Sequence, residues 1–70
     1  MNYSELNAEM GRKGMSIPQL AKKLNLSPKA LYSRFKGKSA FKQNEIVIIA
    51  EELNLSNERI MEIFFANKVS

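Results

Sequence analysis

The feature that most constrains this sequence is its division into five short segments by residues that begin or end helices. Within the segments, apolar residues recur three and four positions apart, as they do on one face of an α-helix. No segment alternates convincingly between apolar and polar residues, which is the pattern of a half-buried strand. The sequence therefore predicts an all-α fold in which five short helices form a compact bundle.

The predicted helix boundaries follow from residues with known local preferences. Asn2 and Ser16 each stand three positions before a Glu or a Gln, which is the spacing of a capping box. Ser27 and Ser56 are placed to cap the third and fifth helices. The fourth helix begins weakly, because Lys42 stands where serine or threonine is expected.

Residues 17–36 combine two short helices with a tight turn at Asn25. Asparagine is the non-glycine residue that best accepts the left-handed conformation. The small side chain of Ala21 lies where the two helix backbones must approach closely. This is the layout of a helix-turn-helix, which holds its second helix outward so that it can enter a major groove about 12 Å wide.

The composition excludes several kinds of site. The sequence has no cysteine and no histidine, which removes disulfides, thiolate metal sites and the commonest general base. Its carboxylates are not clustered, and so we expect no enzyme, no metal, no cofactor and no small-molecule substrate. No apolar run approaches the roughly 20 residues of a membrane span. We expect one domain over residues 1–70, without an internal repeat, in the cytoplasm of a bacterial host.

Positive charge is concentrated in the middle of the chain. Residues 16–42 contain seven lysines and arginines and no acid, whereas residues 43–70 carry a net charge of −3. A single lysine-rich helix is most often an ordinary solvated face. A net charge of +7 within 27 consecutive residues instead favours a surface that faces a polyanion.

Residues 16–65 also resemble the phage Cro/repressor-type helix-turn-helix proteins of the XRE group. The resemblance lies in the order and spacing of S-I-P-Q-L-A-K-K-L-N-L-S, L-Y-S-R-F-K-G-K-S-A-F and E-I-V-I-I-A-E-E-L-N-L-S. Three positions depart from the pattern: Ile17 replaces a phosphate-binding glutamine, Asn25 the turn glycine, and Arg34 an apolar residue. The resemblance implies a lambda-repressor-like five-helix domain that binds a palindromic operator in double-stranded DNA as a homodimer.

Helix geometry assigns candidate DNA contacts to the outward side of the third helix and to its surroundings. Lysine can donate to guanine O6 and N7, serine can contact either base type, and a tyrosine ring can contact a thymine methyl. The candidates for base contacts are Ser27, Lys29, Tyr32 and Ser33. Phosphate contacts set affinity and register but read no sequence. The candidates for phosphate contacts are Gln19, Lys22, Lys23, Arg34, Lys36, Lys38, Ser39 and Lys42.

Some of the same residues have a structural role as an alternative to DNA contact. Ser27 could serve only as a helix cap, Tyr32 only in packing, and Lys29 only as a solvated lysine. Phe64 and Phe65 point about 100° apart on a helix. We therefore expect one of them to close the core and the other to contact a second subunit, together with Val69.

These observations predict a small phage-like transcription regulator, a repressor that acts by occluding its operator. One alternative is a protein-interaction module or antitoxin that uses the acidic and apolar C-terminal helix. RNA binding is a further alternative, although the sequence lacks a sheet with stacking aromatics or a G-x-x-G loop.

Overall fold

The computed structural model describes residues 1–65, which fold as five α-helices and contain no strand. The helices are α1 (Tyr3–Arg12), α2 (Ile17–Leu24), α3 (Pro28–Phe35), α4 (Gln43–Leu53) and α5 (Asn57–Ile60), and a π-helical turn, Met61–Phe65, continues α5. This architecture confirms the predicted all-α class and the five helices. No helix in the described part of the chain is long and apolar enough to cross a membrane.

Side-chain caps begin three of the helices as predicted. The Ser16 hydroxyl accepts from the Gln19 N–H at 3.3 Å, and Gln19 Oε1 accepts from the Ser16 N–H at 2.8 Å, which completes the capping box of α2. The Ser27 and Ser56 hydroxyls each accept one backbone N–H at 3.1 Å. Lys42 provides no side-chain cap for α4. Because each cap contributes about 1 kcal/mol, the serines set where α2, α3 and α5 begin.

The start of α1 differs from its prediction. The Asn2 side chain accepts from the Glu5 N–H at 3.3 Å, which is only half of a capping box. The Asn2 N–H donates instead to the Ile63 carbonyl at 2.6 Å, and the Glu5 carboxylate binds Arg59. Contacts with the C-terminal part of the described chain therefore replace the expected local pair.

Four helices end with the same backbone arrangement. A residue in the left-handed conformation follows each helix, and the N–H of the next residue donates to a carbonyl five positions back. The left-handed residues are Gly14 (φ 65°), Asn25 (φ 61°), Gly37 (φ 80°) and Asn54 (φ 55°). The bonds measure 2.8 to 2.9 Å and start from Met15, Leu26, Lys38 and Leu55. The conformation predicted for Asn25 in the turn between α2 and α3 is thus confirmed.

The expectation of no internal repeat is wrong for one short motif. Residues 21–27 have the sequence A-K-K-L-N-L-S, and residues 50–56 have the sequence A-E-E-L-N-L-S. In both copies a left-handed asparagine ends one helix and a serine caps the next. The two copies carry opposite charges, and they meet where Lys23 Nζ lies 3.8 Å from Glu52 Oε1.

The core is formed by the inner faces of α1 to α4 and by the π-helical turn. Its most deeply buried side chains are Leu6, Leu20, Leu31, Ile49, Leu53 and Ile63. Phe35 contacts Tyr3 and Phe41, with ring centroids 4.7 and 6.0 Å away, and Phe41 contacts Phe64 edge-on at 5.6 Å. Burial of a large apolar side chain contributes about 1.5–3 kcal/mol. These aromatic contacts therefore hold the end of α3 on the rest of the protein.

Arg59 joins α5 to α1 through carboxylates. Its Nε donates to Glu9 Oε2 at 2.6 Å, and its Nη2 donates to Glu5. Its Nη1 donates to Glu62 Oε1 at 2.9 Å. The hydrogen bond from Arg59 holds the pKa of Glu9 below its ordinary value, although burial acts in the opposite direction. The bonds to Glu9, Glu5 and Glu62 in turn raise the pKa of Arg59.

Candidate nucleic-acid interface

Helix α3 has one buried face and one face open to solvent. Leu31 and Phe35 are buried and hold the helix on the core. On the other side Lys29 is exposed, and Tyr32 is 48% exposed. Ser33 is partly covered. The predicted orientation of α3 is therefore confirmed, with Ser33 less open than expected.

Two candidate base-contacting side chains are held in place by contacts within the protein. The Ser27 hydroxyl oxygen accepts from the Ala30 N–H at 3.1 Å, and the hydroxyl keeps one proton that it can donate. The Tyr32 ring packs edge-on against Phe35, with ring centroids 6.4 Å apart and an angle of 85° between the rings. Both side chains thus have structural roles that are compatible with an open surface.

The loop after α3 is exposed, and its backbone returns to the end of the helix. The Ser33 carbonyl accepts from the Lys38 N–H at 2.9 Å and from the Ser39 N–H at 3.4 Å. Lys36, Lys38, Ser39 and Lys42 are all exposed. The structure therefore brings four candidate phosphate contacts together beside the C-terminal end of α3.

The candidate residues of α2 differ in whether their side chains already bind other groups of the protein. The side-chain oxygen of Gln19 accepts a hydrogen bond in the capping box, but the side-chain NH₂ group keeps two N–H donors. Lys22 is exposed. Lys23 is also exposed, and its ammonium group lies 3.8 Å from the Glu52 carboxylate. An ion pair that is this open to solvent contributes little, and so Lys23 can still turn toward another anion.

Arg34 does not lie on this open surface. Its Nε and Nη2 donate to the two oxygens of Glu45 at 2.8 and 3.2 Å, and the two side chains are only 12% and 6% exposed. Burial alone would raise the pKa of Glu45, but the hydrogen bonds from Arg34 and from the Lys42 N–H hold that pKa below its ordinary value. The guanidinium is committed to a partner inside the protein, and we withdraw its predicted phosphate contact.

Most of the positive charge of residues 16–42 is not paired with a carboxylate in the described part of the chain. Of the seven cations in residues 16–42, Lys23 and Arg34 pair with carboxylates of α4. The other five form no salt bridge within residues 1–65, and all are exposed: Lys22, Lys29, Lys36, Lys38 and Lys42. This uncompensated charge lies on α2, on α3 and on the loop that follows α3.

A family model described as helix-turn-helix matches residues 6–57. The chain belongs to this helix-turn-helix family. Its members are DNA-binding transcription regulators of the XRE type, and the predicted helix-turn-helix and DNA-binding class are thereby confirmed. No curated protein and no solved structure matches the chain significantly.

The helix-turn-helix match includes every candidate DNA contact and ends before the predicted subunit contacts. Phe64 is 8% exposed and closes the core, whereas Phe65 is 51% exposed. The prediction that only one of these two side chains is buried is confirmed. Val69 lies outside the described residues.

Glu45 is a residue of this helix-turn-helix region that the sequence patterns did not single out. It is buried, and it accepts hydrogen bonds from both α3 and the loop after it. A signal was present, because Arg34 occupies a position where the resemblance to the XRE group implies an apolar residue, and a buried arginine requires an anionic partner. Glu45 is the first acid that follows Arg34 in the sequence.

Proposed function

We propose that this helix-turn-helix protein reads double-stranded DNA sequence by placing α3 in the major groove. The observation that carries the proposal is the open face of α3, surrounded by five lysines without a salt bridge among residues 1–65. A helix fits a groove about 12 Å wide, where side chains can reach the edges of the bases. The proposed base contacts are Ser27, Lys29, Tyr32 and Ser33, with Ser33 the least exposed of them.

The phosphates on both sides of the groove would be bound by residues around α3. Lysines supply charge, and the exposed amide of Gln19 and hydroxyl of Ser39 supply neutral hydrogen-bond donors. The proposed set is Gln19, Lys22, Lys23, Lys36, Lys38, Ser39 and Lys42. Such contacts release counterions, and they therefore make affinity strongly dependent on salt.

We further propose that residues 1–70 act as one small repressor domain of phage-like type, which occludes a palindromic operator as a homodimer. Phe65 supports this proposal, because it is half-exposed beside a cleft of about 330 Å³ that Met1 and Phe41 also line. Aromatic side chains are enriched in the buried centres of protein–protein interfaces. Two subunits bound to one face of DNA would read half-sites about 34 Å apart.

A protein-interaction module or antitoxin is the second candidate function. It is favoured by the exposure of Val47 and Met61, at 49% and 57%, near the acidic side chains of Glu51 and Glu62. Both apolar side chains belong to the negatively charged part of the chain, residues 43–70, and neither lies on α3. The module would use this part of the chain. It would bind a basic partner, and salt would affect that binding independently of DNA.

The proposal is tested by selecting bound sites from random duplex DNA and then measuring affinity for the selected site across salt concentrations. We expect one enriched palindromic sequence and a log–log salt slope of about −0.9 for each neutralised phosphate. Sedimentation of the free and DNA-bound protein measures the number of subunits. Failure to enrich any sequence, or an affinity that does not change with salt, would contradict DNA reading and favour the second candidate.

A further inference from the structure

Glu45 is a buried acid, at 5% exposed, and its carboxylate accepts three hydrogen bonds. It lies in the first turn of α4, and one of its oxygens accepts from both Arg34 Nε at 2.8 Å and the Lys42 N–H at 2.9 Å. Its second oxygen accepts from Arg34 Nη2 at 3.2 Å. One carboxylate therefore joins the recognition helix α3, the end of the loop that follows it, and the start of α4.

Stability alone gives little reason for such a pair. Removing two charges from water costs free energy that their attraction often fails to recover, and exchange for well-packed apolar residues often leaves stability unchanged or raises it. The pair does provide a defined geometry, because the two parallel N–H···O bonds of an arginine and a carboxylate restrict both direction and distance. Its position is thus more informative than its energy.

The loop between α3 and α4 is held at both ends by bonds that converge on this region. At its start, the Ser33 carbonyl accepts from the Lys38 and Ser39 N–H groups. At its end, the Lys42 N–H donates to Glu45. Four of the proposed phosphate contacts lie in this short segment. Their side chains can meet phosphates simultaneously with the base contacts of α3 only if the loop and the helix keep a fixed relation.

We propose that Arg34 and Glu45 are positioning residues, which hold the phosphate-binding loop at the distance from α3 that simultaneous binding of groove and backbone requires. This role rests on the proposed function, and it replaces the direct phosphate contact first expected of Arg34. Neither side chain touches DNA in this arrangement. Both act through the lysines of residues 36–42 and through the backbone of Lys42.

A different role for Glu45 would have the opposite effect on DNA binding. If Glu45 served to neutralise Arg34 and keep it from DNA, its removal would release a guanidinium beside the phosphates. Affinity would then rise on all sequences, and the salt slope would steepen by about 0.9. The positioning role predicts a loss of affinity instead, so that the sign of the change separates the two.

The test compares four forms of the full chain: the unmodified protein, Glu45→Gln, the double variant Arg34→Met with Glu45→Met, and Arg12→Met. The double variant leaves no unpaired buried charge, which favours a stable fold. Arg12→Met is the control, because it makes the same arginine-to-methionine change in a salt bridge on α1, away from the loop. The Arg12 side chain is 60% exposed. Thermal unfolding, DNA affinity at several salt concentrations, and the hydrogen exchange of the Lys42 amide are measured.

We expect the double variant to unfold within a few degrees of the unmodified protein and to bind the selected site on the order of ten-fold more weakly, with a shallower salt slope. Its preferred sequence should not change. The Lys42 amide should exchange faster in the double variant. Arg12→Met should match the unmodified protein in DNA affinity and in the exchange of the Lys42 amide. Glu45→Gln should also weaken binding. If the double variant does not fold, Glu45→Gln alone provides the test.

Three results would overturn the positioning role. A folded double variant that binds as tightly as the unmodified protein would show that the pair does not affect the loop. Tighter binding by Glu45→Gln would favour neutralisation of Arg34. Unchanged exchange at Lys42 would show that the loop keeps its position without the pair. If the unmodified protein itself failed to bind DNA, the proposed function would fall as well, which is a distinguishable outcome.

Discussion

Lys29 lies on α3 and Lys38 in the loop that follows this helix, and under the proposed function they should affect DNA binding in different ways. Lys29 is exposed in the first turn of α3, where a side chain can reach a base edge. We expect Lys29→Ala to relax the preference at one base pair in each half-site, at a cost of about 1–3 kcal/mol on the selected site. Affinities for single-base variants of that site measure this effect.

Lys38→Ala is the comparison for that experiment. Lys38 follows the left-handed Gly37 in the loop after α3 and should contact only phosphate. Its removal should weaken binding on every sequence and reduce the magnitude of the salt slope by about 0.9. A uniform loss from Lys29→Ala, or an altered sequence preference from Lys38→Ala, would reverse the two assignments.

At the scale of single residues, the sequence predicts exposure better than it predicts partners. Helical periodicity correctly separates buried Leu31 and Phe35 from exposed Lys29, because the period of an α-helix depends only on local geometry. Helical periodicity did not identify the partner of Arg34, for which we expected a phosphate contact instead. Its partner Glu45 is eleven positions away on another helix, and only the packing of α3 against α4 brings the two together.

At the scale of helices and turns, Asn25 provides the clearest test. It adopts φ 61° and ψ 38°, which costs a residue with an ordinary Cβ about 1–2 kcal/mol. We expect Asn25→Ala to lower the free energy of unfolding by about that amount and Asn25→Gly to be nearly neutral. Denaturant titrations measure both changes.

The second copy of the motif supplies a matched pair for this prediction. Asn54 has φ 55° and ψ 49° in the turn between α4 and α5. Asn54→Ala should therefore cost about as much stability as Asn25→Ala. The residues proposed to contact DNA should be unaffected by it. Equal effects of alanine and glycine at Asn25 would mean that backbone conformation does not decide the choice of residue there.

Helix ends were predictable because most of them depend on residues within five positions of each other. The exception at α1 shows what limits this approach: Glu5 has the spacing to return a bond to Asn2, but Arg59 competes for it from the far end of the chain. The π-helical turn Met61–Phe65 was also not predicted. Apolar periodicity predicts a single α-helix there, with Ile63 and Phe64 on its inner side, and does not show where the hydrogen bonding becomes π-helical.

For the whole molecule, carboxylates bound to arginine should make stability fall in acid. The pKa values of Glu9 and Glu45 both lie below the ordinary value of 4.5. The unfolded chain therefore takes up protons first, and the stabilisation is complete above about pH 4.5 and is lost as the pH falls through the folded-state pKa values. We expect the melting temperature to be nearly constant from pH 7 to about pH 5 and to decrease below that range.

Arg59→Met tests the contribution of Glu9 to this effect. The variant removes the arginine that pairs with Glu9, Glu5 and Glu62. It should lower the melting temperature at neutral pH by several degrees, and the further decrease of the melting temperature in acid should be shallower than in the unmodified protein. Arg12→Met, which removes a more exposed partner of Glu9, should have a smaller effect. An acid dependence that is unchanged in Arg59→Met would assign it to Glu45 or to general repulsion among the cations.

The placement of Tyr32 also equips this protein with an optical reporter. The sequence contains no tryptophan and only two tyrosines. Tyr3 lies against Phe35 on one side, while Tyr32 stands half-exposed on the face of α3 that is proposed to enter the groove. With Tyr3→Phe, the intrinsic ultraviolet emission would come from a single ring at that face, and a titration with nucleic acid could be followed without attaching any dye.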